Sequence, residues 1–268
     1  MFSWRAEVRP GVWVAFTDTA AGNLALHVGD DPAEVRRRRG ELEQAAGLAG
    51  RHFRYMNQVH GSDVTTIAGS ADGSTADAPT ADAPTADAPT ADAMVSAGEP
   101  LAVMVADCVP VVLVGAGAGA LGAGAPVLGV AHAGRPGVAS GVVPAAVARL
   151  RELGAGHISA WIGPSICGHC YEVPEGMRAD VAAIVPATWC TTSRGTPGLD
   201  LPAGVRSQLE AAGVALEYSG GCTLEDESLF SYRRNSHTGR FAGLVWTDPA
   251  RTDGAPDVRA RNDPGAGQ

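Results

Sequence analysis

The sequence contains no lysine, and all 20 of its basic residues are arginines. This absence excludes sites that need a lysine amine, namely a P-loop phosphate site, a Schiff base to a carbonyl substrate and a pyridoxal-phosphate linkage. A bound anion must therefore be held by arginine guanidinium groups, by backbone N–H groups or by a metal ion.

Long apolar runs are also missing, and the number of cysteines does not suggest a set of disulfides. No segment reaches the length of a membrane span, and the first residues, MFSWRAEVRP, lack the apolar part of a secretion signal. The formal net charge of −9 argues against nucleic acid or an anionic membrane as the main partner. Five cysteines are an odd number, and 268 residues can form a core without disulfides, so we expect a reducing, cytoplasmic environment.

The pattern of apolar residues predicts one domain in which strands and helices are intermixed. Helices are predicted over residues 32–47, 136–153, 176–183 and 202–212. Strands are predicted over residues 12–17, 23–28, 53–59, 64–67, 93–96, 101–106, 127–131, 157–163, 214–218 and 241–246.

Two segments differ from this pattern. Thr-Ala-Asp-Ala-Pro occurs three times in tandem from Thr75 to Pro89, a period that suits neither helix nor sheet, and it predicts a flexible loop inserted at residues 70–91. Only the last copy, around Asp92, adjoins a strand and could contribute to a site. Residues 247–268 are rich in Pro, Gly, Asp and Arg, which predicts a disordered tail.

Three residues that can bind a metal or act in catalysis come at or near the ends of short predicted strands: His60, Cys108 and His132. Reactive groups commonly lie where strands stop, so we expect these three side chains to meet in space. Two chemistries remain open. Three protein ligands with a free fourth position are the pattern of a catalytic zinc ion. Without a metal, Cys108 would be a thiolate nucleophile and His132 its base.

The remaining cysteines include a Cys-x-x-Cys motif at Cys167 and Cys170, with His169 between them. A redox motif or a zinc knuckle would fit this spacing, but a zinc knuckle needs a second pair, and Cys190 and Cys222 are isolated in the sequence. We therefore interpret these cysteines as incidental core residues.

Charged residues in the second half of the chain are further candidates. Glu172 is either a catalytic acid or base or an ordinary surface carboxylate. Arg233 and Arg234, beside Tyr232 and near Arg240, form a basic cluster in an acidic protein. Guanidinium groups bind phosphate or carboxylate through paired hydrogen bonds, and the alternative is an ordinary surface patch.

Short motifs occur in a fixed order along the chain: Asn57–Gly61 (NQVHG), Ala106–Pro110 (ADCVP), Ala131–Gly134 (AHAG), Ile162–Ile166 (IGPSI), Tyr171–Val173 (YEV), Cys222–Thr223 (CT) and Phe230–Arg234 (FSYRR). Together with His27–Asp31 (HVGDD), they resemble the YfiH family, also called the laccase-domain or multicopper polyphenol oxidoreductase family and peptidoglycan editing factor. The resemblance covers roughly residues 10–246.

The resemblance implies an α+β fold, a single domain of mixed β-sheets flanked by helices over residues 10–246. It also implies a zinc site at His60, Cys108 and His132, whose ligands also accept copper in vitro. Members are described as phosphorylases of adenosine, inosine and methylthioadenosine, with an accompanying adenosine deaminase activity. The implied substrates are a purine nucleoside and phosphate. Asp107 or Glu172 would then move protons in deamination.

Phosphate would be held by Arg135, Arg233 and Arg234 and by the start of the helix that follows His132. In a peptidoglycan-editing amidase or hydrolase, Cys108 would instead be the nucleophile or a metal ligand. Copper-dependent oxidation of phenols, as the laccase label suggests, needs more histidine ligands than the seven scattered ones in this chain provide.

One motif departs from the family pattern. His-Ala-Gly is usually followed by Trp-Arg-Gly, but here it is followed by Arg135-Pro136-Gly137. Pro136 fixes the backbone and removes an N–H that could face an anion. Because the proposed metal ligands are intact, we expect any effect to fall on phosphorolysis before metal binding.

Overall fold

In a computed structural model, the described residues are 1–68, 88–117 and 126–248. The strands are β1 (Phe2–Arg9), β2 (Val12–Thr17), β3 (Val64–Ile67), β4 (Ala93–Ser96), β5 (Leu101–Val105), β6 (Val109–Gly117), β7 (Val127–Ala133), β8 (Ala155–Ile162), β9 (Trp189–Thr191), β10 (Pro197–Leu199), β11 (Ala215–Ser219) and β12 (Phe241–Thr247). The helices are α1 (Pro32–Ala46), α2 (Arg135–Ser140), α3 (Val142–Glu152), α4 (Glu175–Ile184) and α5 (Leu201–Ala211), with short 3₁₀ turns at Thr19–Ala21 and Pro186–Thr188.

Two sheets form the centre of the fold. Strands β1, β2, β12 and β5 make an antiparallel four-stranded sheet, in that order. The second sheet has the order β11-β8-β6-β7-β4-β3 and is mixed, since its two outermost pairs are parallel and its inner pairs antiparallel. Strands β9 and β10 form a separate antiparallel pair.

The side chains of the buried strands alternate between the two faces of the sheet, which explains why the sheets stack. In β12, Phe241 and Val245 pack into the core between the two sheets, while Leu244 and Trp246 pack on the opposite face with Leu42 of α1. Successive side chains of a strand point to opposite faces, so a strand that is apolar throughout must be covered on both sides. The outer face of the six-stranded sheet is covered by α3 and α5. The layers are therefore helix, sheet, sheet, helices, and the predicted α+β domain is confirmed.

Several predicted elements differ from the observed ones. Residues 23–28 are a loop, because the Asn23 side chain donates to Ala25 O (2.8 Å) and accepts from Ala25 N (3.0 Å), which takes the backbone out of strand pairing. Residues 53–59 contain only isolated bridges at Arg54 and Asn57. The helix predicted over 136–153 is divided at Gly141, whose φ of +83° is left-handed.

Four observed strands were not predicted from the sequence, and two predicted segments lie largely outside the described residues. The strands β1, β6, β9 and β10 were not predicted. The inserted loop predicted at 70–91 falls outside the described residues from 70 to 87, and the tail predicted at 247–268 does so from 249 onward. No helix in the described ranges combines the length and apolar character needed to cross a membrane.

Candidate metal centre

Cys108 lies where the chain passes from one sheet to the other. Strand β5 belongs to the four-stranded sheet and ends at Val105, and β6 begins in the six-stranded sheet at Val109. The turn between them contains Asp107 with a φ of +85°, a conformation rare for any residue other than glycine. Such backbone strain concentrates at functional sites, where the surrounding structure imposes it.

The two histidines approach Cys108 from other elements. His132 lies in β7, is 3% exposed and pairs in register with Pro110 of β6. His60 lies in the loop before β3 and also has a left-handed backbone, with a φ of +63°. The predicted convergence is observed: one ligand atom from each of His60, Cys108 and His132 lies within 4.8 Å of the others.

The contacts within this group are close. Cys108 Sγ lies 3.8 Å from His60 Nε2, and the two imidazole rings meet edge to face with centroids 4.6 Å apart. Gly134 makes this approach sterically feasible. A Cβ at Gly134 would lie 2.7 Å from His60 Cδ2 and 3.2 Å from Cys108 Sγ, closer than packed atoms allow.

A buried carboxylate orients both histidines. Asp92 is fully buried and its Oδ1 lies 2.8 Å from His132 Nδ1. The same carboxylate accepts backbone N–H groups of Val59 (3.2 Å), His60 (2.9 Å) and Gly61 (2.6 Å). Burial favours the neutral acid, but the hydrogen bonds from His132 and Gly61 outweigh it and lower the pKa of Asp92. Asp92 therefore stays charged and directs His132 Nε2 toward Cys108.

In the metal-free protein, the negative charge of Cys108 and the positive charge of His132 stabilise each other. Burial would raise the pKa of the Cys108 thiol, but the charge and hydrogen bond of His132 outweigh it and lower this pKa to about 6. Burial would lower the pKa of His132, but Cys108 and Asp92 together raise it to about 9. Metal-free protein at neutral pH therefore holds a thiolate–imidazolium pair.

The donor set fits a soft or borderline divalent metal. One thiolate and two imidazoles are ligands that zinc and copper accept, and catalytic zinc sites commonly leave a fourth position open. The contact between Asp92 and His132 is the carboxylate–histidine arrangement found behind many metal ligands. His60 is exposed, so the group faces solvent on one side.

The group opens into a cavity of about 910 Å³. Its walls carry three arginines, Arg135, Arg233 and Arg240, and two tyrosines, Tyr171 and Tyr232. A volume of this order accommodates a ligand of nucleoside size. The arginines give the cavity a positive wall in a protein whose net charge is −9.

Some of the predicted site residues line this cavity and others do not. Asp107 lines it, and its carboxylate accepts Thr223 Oγ1–H and the backbone N–H of Arg233, both at 2.6 Å. Among the described residues of the cavity wall, Glu172 and Arg234 are absent. Glu172 forms an ion pair with the exposed Arg194.

The guanidinium of Arg234 contacts backbone carbonyl groups of a neighbouring loop and does not face the cavity. It donates to the carbonyl oxygens of Thr223 (3.0 Å), Leu224 (3.2 Å), Asp226 (3.3 Å) and Leu229. The geometry gives Arg234 the role of holding the loop from 223 to 229 beside the cavity.

Two residues of the cavity wall were not predicted as site residues, although both fall in the motifs quoted above. The side chain of Gln58 donates to Met104 O (2.7 Å) and accepts from Met104 N (2.9 Å), which fastens the His60 loop to β5. Burial, with the charges of Arg240 and Arg39, lowers the pKa of His27, so a neutral imidazole faces the cavity. The sequence offered one signal for both residues: each is a polar residue within a family motif, Gln58 in NQVHG and His27 in HVGDD.

The sequence profile of the multi-copper polyphenol oxidoreductase laccases matches residues 10–248. The chain belongs to this family. The resemblance stated from the motifs is thereby confirmed, and the family is one in which metal-binding His and Cys groups are expected.

Relatives within the family carry a different functional name. The chain is 45% identical over 257 residues to purine nucleoside phosphorylase ORF3 of Streptomyces griseus, covering 91% of this chain and 97% of that protein. It is 42% identical over 231 residues to a purine nucleoside phosphorylase of Corynebacterium glutamicum, covering 85% and 87%. Among solved structures, YlmD of Geobacillus stearothermophilus is 30% identical with a TM-score of 0.73, covering 90% of this chain and 97% of that one.

The thiolate–imidazolium pair predicts a distinctive pH dependence of alkylation in this family member. In metal-free protein, iodoacetamide should modify Cys108 at a rate that rises through about pH 6 and is near its maximum at pH 7. The pKa of Cys190 is raised by burial and by Asp200, so this cysteine should react only at higher pH. Peptide mapping by mass spectrometry separates the two. A midpoint for Cys108 near the ordinary thiol pKa of about 8.5 would contradict the pair.

Proposed function

We propose that the protein is a zinc-dependent purine nucleoside phosphorylase that acts on adenosine, inosine and methylthioadenosine in the cytoplasm. Relatives that match 91% and 85% of the chain are named purine nucleoside phosphorylase, which supports the reaction class. All five cysteines are free, which supports a reducing compartment.

A single observation carries the proposal: one cavity is lined both by the His60–Cys108–His132 group and by three arginines. Phosphorolysis needs a site for a dianionic nucleophile next to a site for the nucleoside. A lysine-free chain must hold phosphate by guanidinium or backbone groups, and Arg135, Arg233 and Arg240 supply guanidinium groups at the required place.

The metal would be held by His60, Cys108 and His132, with Asp92 fixing the orientation of His132. A bound Zn²⁺ supplies a Lewis acid that polarises an oxygen of phosphate or ribose. The ligands come from three separate elements, each fixed by the fold, so the centre is preorganised and needs no large rearrangement to bind the ion.

Phosphate is positioned by side chains more than by the helix start. Helix α2 has only six residues, and Pro136 in its first turn offers no N–H. Arg233 lies with its guanidinium carbon 5.1 Å from the centre of the Tyr171 ring, which holds the side chain at the cavity wall. Arg135 comes directly after the Gly134 N-cap and lines the same wall.

In the reaction, a phosphate oxygen bonds to C1′ of the ribose as the bond from C1′ to the purine nitrogen breaks. The electron pair of that bond leaves with the purine. Tyr232, which is 53% exposed at the cavity mouth, offers an aromatic face for the base. Asp107 holds Thr223 and the backbone of Arg233, so its role in the proposal is to position the phosphate-binding arginine.

Deamination of adenosine is the accompanying activity that we propose for the same cavity, with Asp107, a carboxylate of the cavity wall, moving protons. Glu172 lies outside the cavity wall in its pair with Arg194, so it reaches the substrate only if that pair opens.

A second candidate function rests on the charge pair of Cys108 and His132. A thiolate beside an imidazolium is the arrangement of cysteine hydrolases, and it would suit an amidase that edits peptidoglycan precursors. The two functions differ in their need for metal. A metal-free protein that hydrolyses its substrate and loses activity on alkylation of Cys108 would favour the hydrolase.

Arg233→Gln tests the phosphate site. Charge-assisted hydrogen bonds contribute about 1.5–3 kcal/mol, so we expect the KM for phosphate to rise roughly 10- to 100-fold. The KM for inosine should change much less. Release of hypoxanthine and ribose 1-phosphate at varied phosphate concentration gives both values.

The matched control is Arg194→Gln, which removes an exposed guanidinium outside the cavity wall. It should leave both KM values within about twofold, as surface ion pairs contribute little. An unchanged KM for phosphate in Arg233→Gln, or hypoxanthine release that needs no phosphate, would contradict the proposed function.

A further inference from the structure

Three cysteines that are separated in the sequence come together beside the cavity. One ligand atom from each of Cys167, Cys170, Cys222 and Glu225 lies within 4.8 Å of the others. The isolated position of Cys222 in the sequence was the reason to interpret the Cys-x-x-Cys motif as incidental. In the fold, Cys222 is the third member of the same group.

Backbone hydrogen bonds hold the two cysteine-bearing segments together. Ser165 donates to Gly221 O and accepts from Thr223 N, both at 3.1 Å, so the segments run side by side. The backbone N–H of Cys167 donates to Cys222 Sγ at 3.4 Å. Cys170 N donates to Cys167 O at 3.0 Å, which closes a tight turn that points both sulfur atoms to one side.

The spacing matches a tetrahedral zinc site. A Zn–S distance of about 2.3 Å places the ligand atoms of a tetrahedron roughly 3.8 Å apart. The four atoms of this group lie within 4.8 Å of one another, and Cys170 Sγ lies 3.4 Å from Glu225 Oε1. Small side-chain movements would bring the four atoms to this spacing.

We propose that Cys167, Cys170 and Cys222 bind a second, structural zinc ion, with the Glu225 carboxylate as the fourth ligand. Thiolates are the preferred ligands of structural zinc, and four protein ligands leave no open position for a reaction. Each thiol releases its proton to solvent when it binds the ion. The inference is independent of the proposed activity, because it concerns different residues.

The ion would fasten two walls of the catalytic cavity. The segment with Cys167 and Cys170 carries Ile166 and Tyr171, and the segment after Cys222 carries Arg233, all of which line the cavity. The two metal groups are also linked through Asp107, which precedes Cys108. Its backbone oxygen accepts from Ile166 N at 3.0 Å and its side chain from Thr223.

A redox disulfide is the rival explanation for close cysteines. A disulfide uses two sulfur atoms, and it leaves a third thiol and an acidic side chain in the same small volume without a function. Three thiolates and a carboxylate are instead what a divalent cation requires, since the cation offsets their mutual repulsion.

The test is metal content per chain in wild type, Cys170→Ser and Cys190→Ser, each purified with zinc present and dialysed. We expect Cys170→Ser to hold one zinc ion fewer per chain than wild type, and Cys190→Ser to hold the same number as wild type, whether or not the His60–Cys108–His132 group is filled. Cys190 is a fair control because its Sγ lies next to Gly168 of the motif but outside the group. An equal zinc content in Cys170→Ser and wild type would overturn the proposal, even if base release were normal.

A second measurement applies if Cys170→Ser does not fold. Wild-type protein reconstituted with Co²⁺ should show sulfur-to-cobalt charge-transfer absorption several times stronger than a site with one cysteine gives, and Glu225→Gln should bind the ion more weakly. Denatured wild type should contain five free thiols. Three free thiols, which would mean a disulfide, or the absorption of one sulfur ligand only, would overturn the second site.

Discussion

Replacing His132 with alanine should remove the metal from the catalytic centre and abolish phosphate-dependent base release. His132 supplies one of three ligands and is nearly buried, so water cannot take its place without rearrangement. Loss of an outer-shell partner alone costs roughly 10- to 100-fold in metal affinity, and loss of a ligand should cost at least about 100-fold. Equilibrium dialysis with zinc and an assay of hypoxanthine release measure the two effects.

The control for this variant is His157→Ala, which removes an exposed imidazole of β8. It should retain metal and turnover at wild-type levels. His132→Ala also leaves a cavity in the core. Zinc bound by the Cys167–Cys170–Cys222 group therefore serves as an internal check that the variant folds. His132→Ala protein that keeps that zinc and still releases base at the wild-type rate would contradict the assignment of the catalytic centre.

Asp92→Asn should have the second-largest effect, although Asp92 touches neither metal nor substrate. Its two oxygens accept four donors, from His132 and the backbone of residues 59–61. An amide offers only one oxygen, so at least one buried donor loses its acceptor, at a cost of about 1–3 kcal/mol in stability. Loss of the charge behind His132 should also weaken zinc binding roughly 10- to 100-fold. Urea unfolding and zinc titration measure these effects.

Asp180→Asn is the matched control, because Asp180 is an exposed carboxylate on α4. It should change stability by less than about 0.5 kcal/mol. The positioning role of Asp92 has its own signature. As the pKa of His132 is raised partly by Asp92, the variant should lower it and move the alkylation midpoint of Cys108 upward. An Asp92→Asn protein with wild-type zinc affinity and alkylation profile would contradict that role.

Local pattern predicted most of the buried strands and helices, although it missed β6, a buried strand in the middle of the six-stranded sheet. Strands such as β5 and β7 are short apolar runs bounded by turn residues, and α1 has an Asp31 N-cap, a proline in its first turn and a left-handed Gly47 at its end. The edge strand β1 was missed because none of its eight residues is buried: three are exposed and five are half-buried. Residues 23–28 were misassigned because alternation cannot reveal that the Asn23 side chain occupies the neighbouring backbone.

Two members of the candidate metal group, Cys108 and His132, could be predicted because each comes at the end of an apolar run, and the resemblance added support for all three. The support around this group could not. The sequence indicated only that the segment around Asp92 could contribute to a site, because the contacts of Asp92 with residues 59–61 depend on tertiary structure. Arg234 resembles Arg233 in sequence, yet only the fold shows that it binds loop carbonyls while Arg233 lines the cavity. The distant partner of the Cys-x-x-Cys motif, Cys222, was hidden for the same reason.

The most direct test of the central claim is a zinc titration of metal-free protein, with hypoxanthine release from inosine measured with and without phosphate. The proposed phosphorylase predicts no release before zinc is added, recovery as the His60–Cys108–His132 centre fills, and release only when phosphate is present. Metal-free protein that already turns over at the full rate, or zinc-loaded protein that releases base equally well without phosphate, would contradict the account.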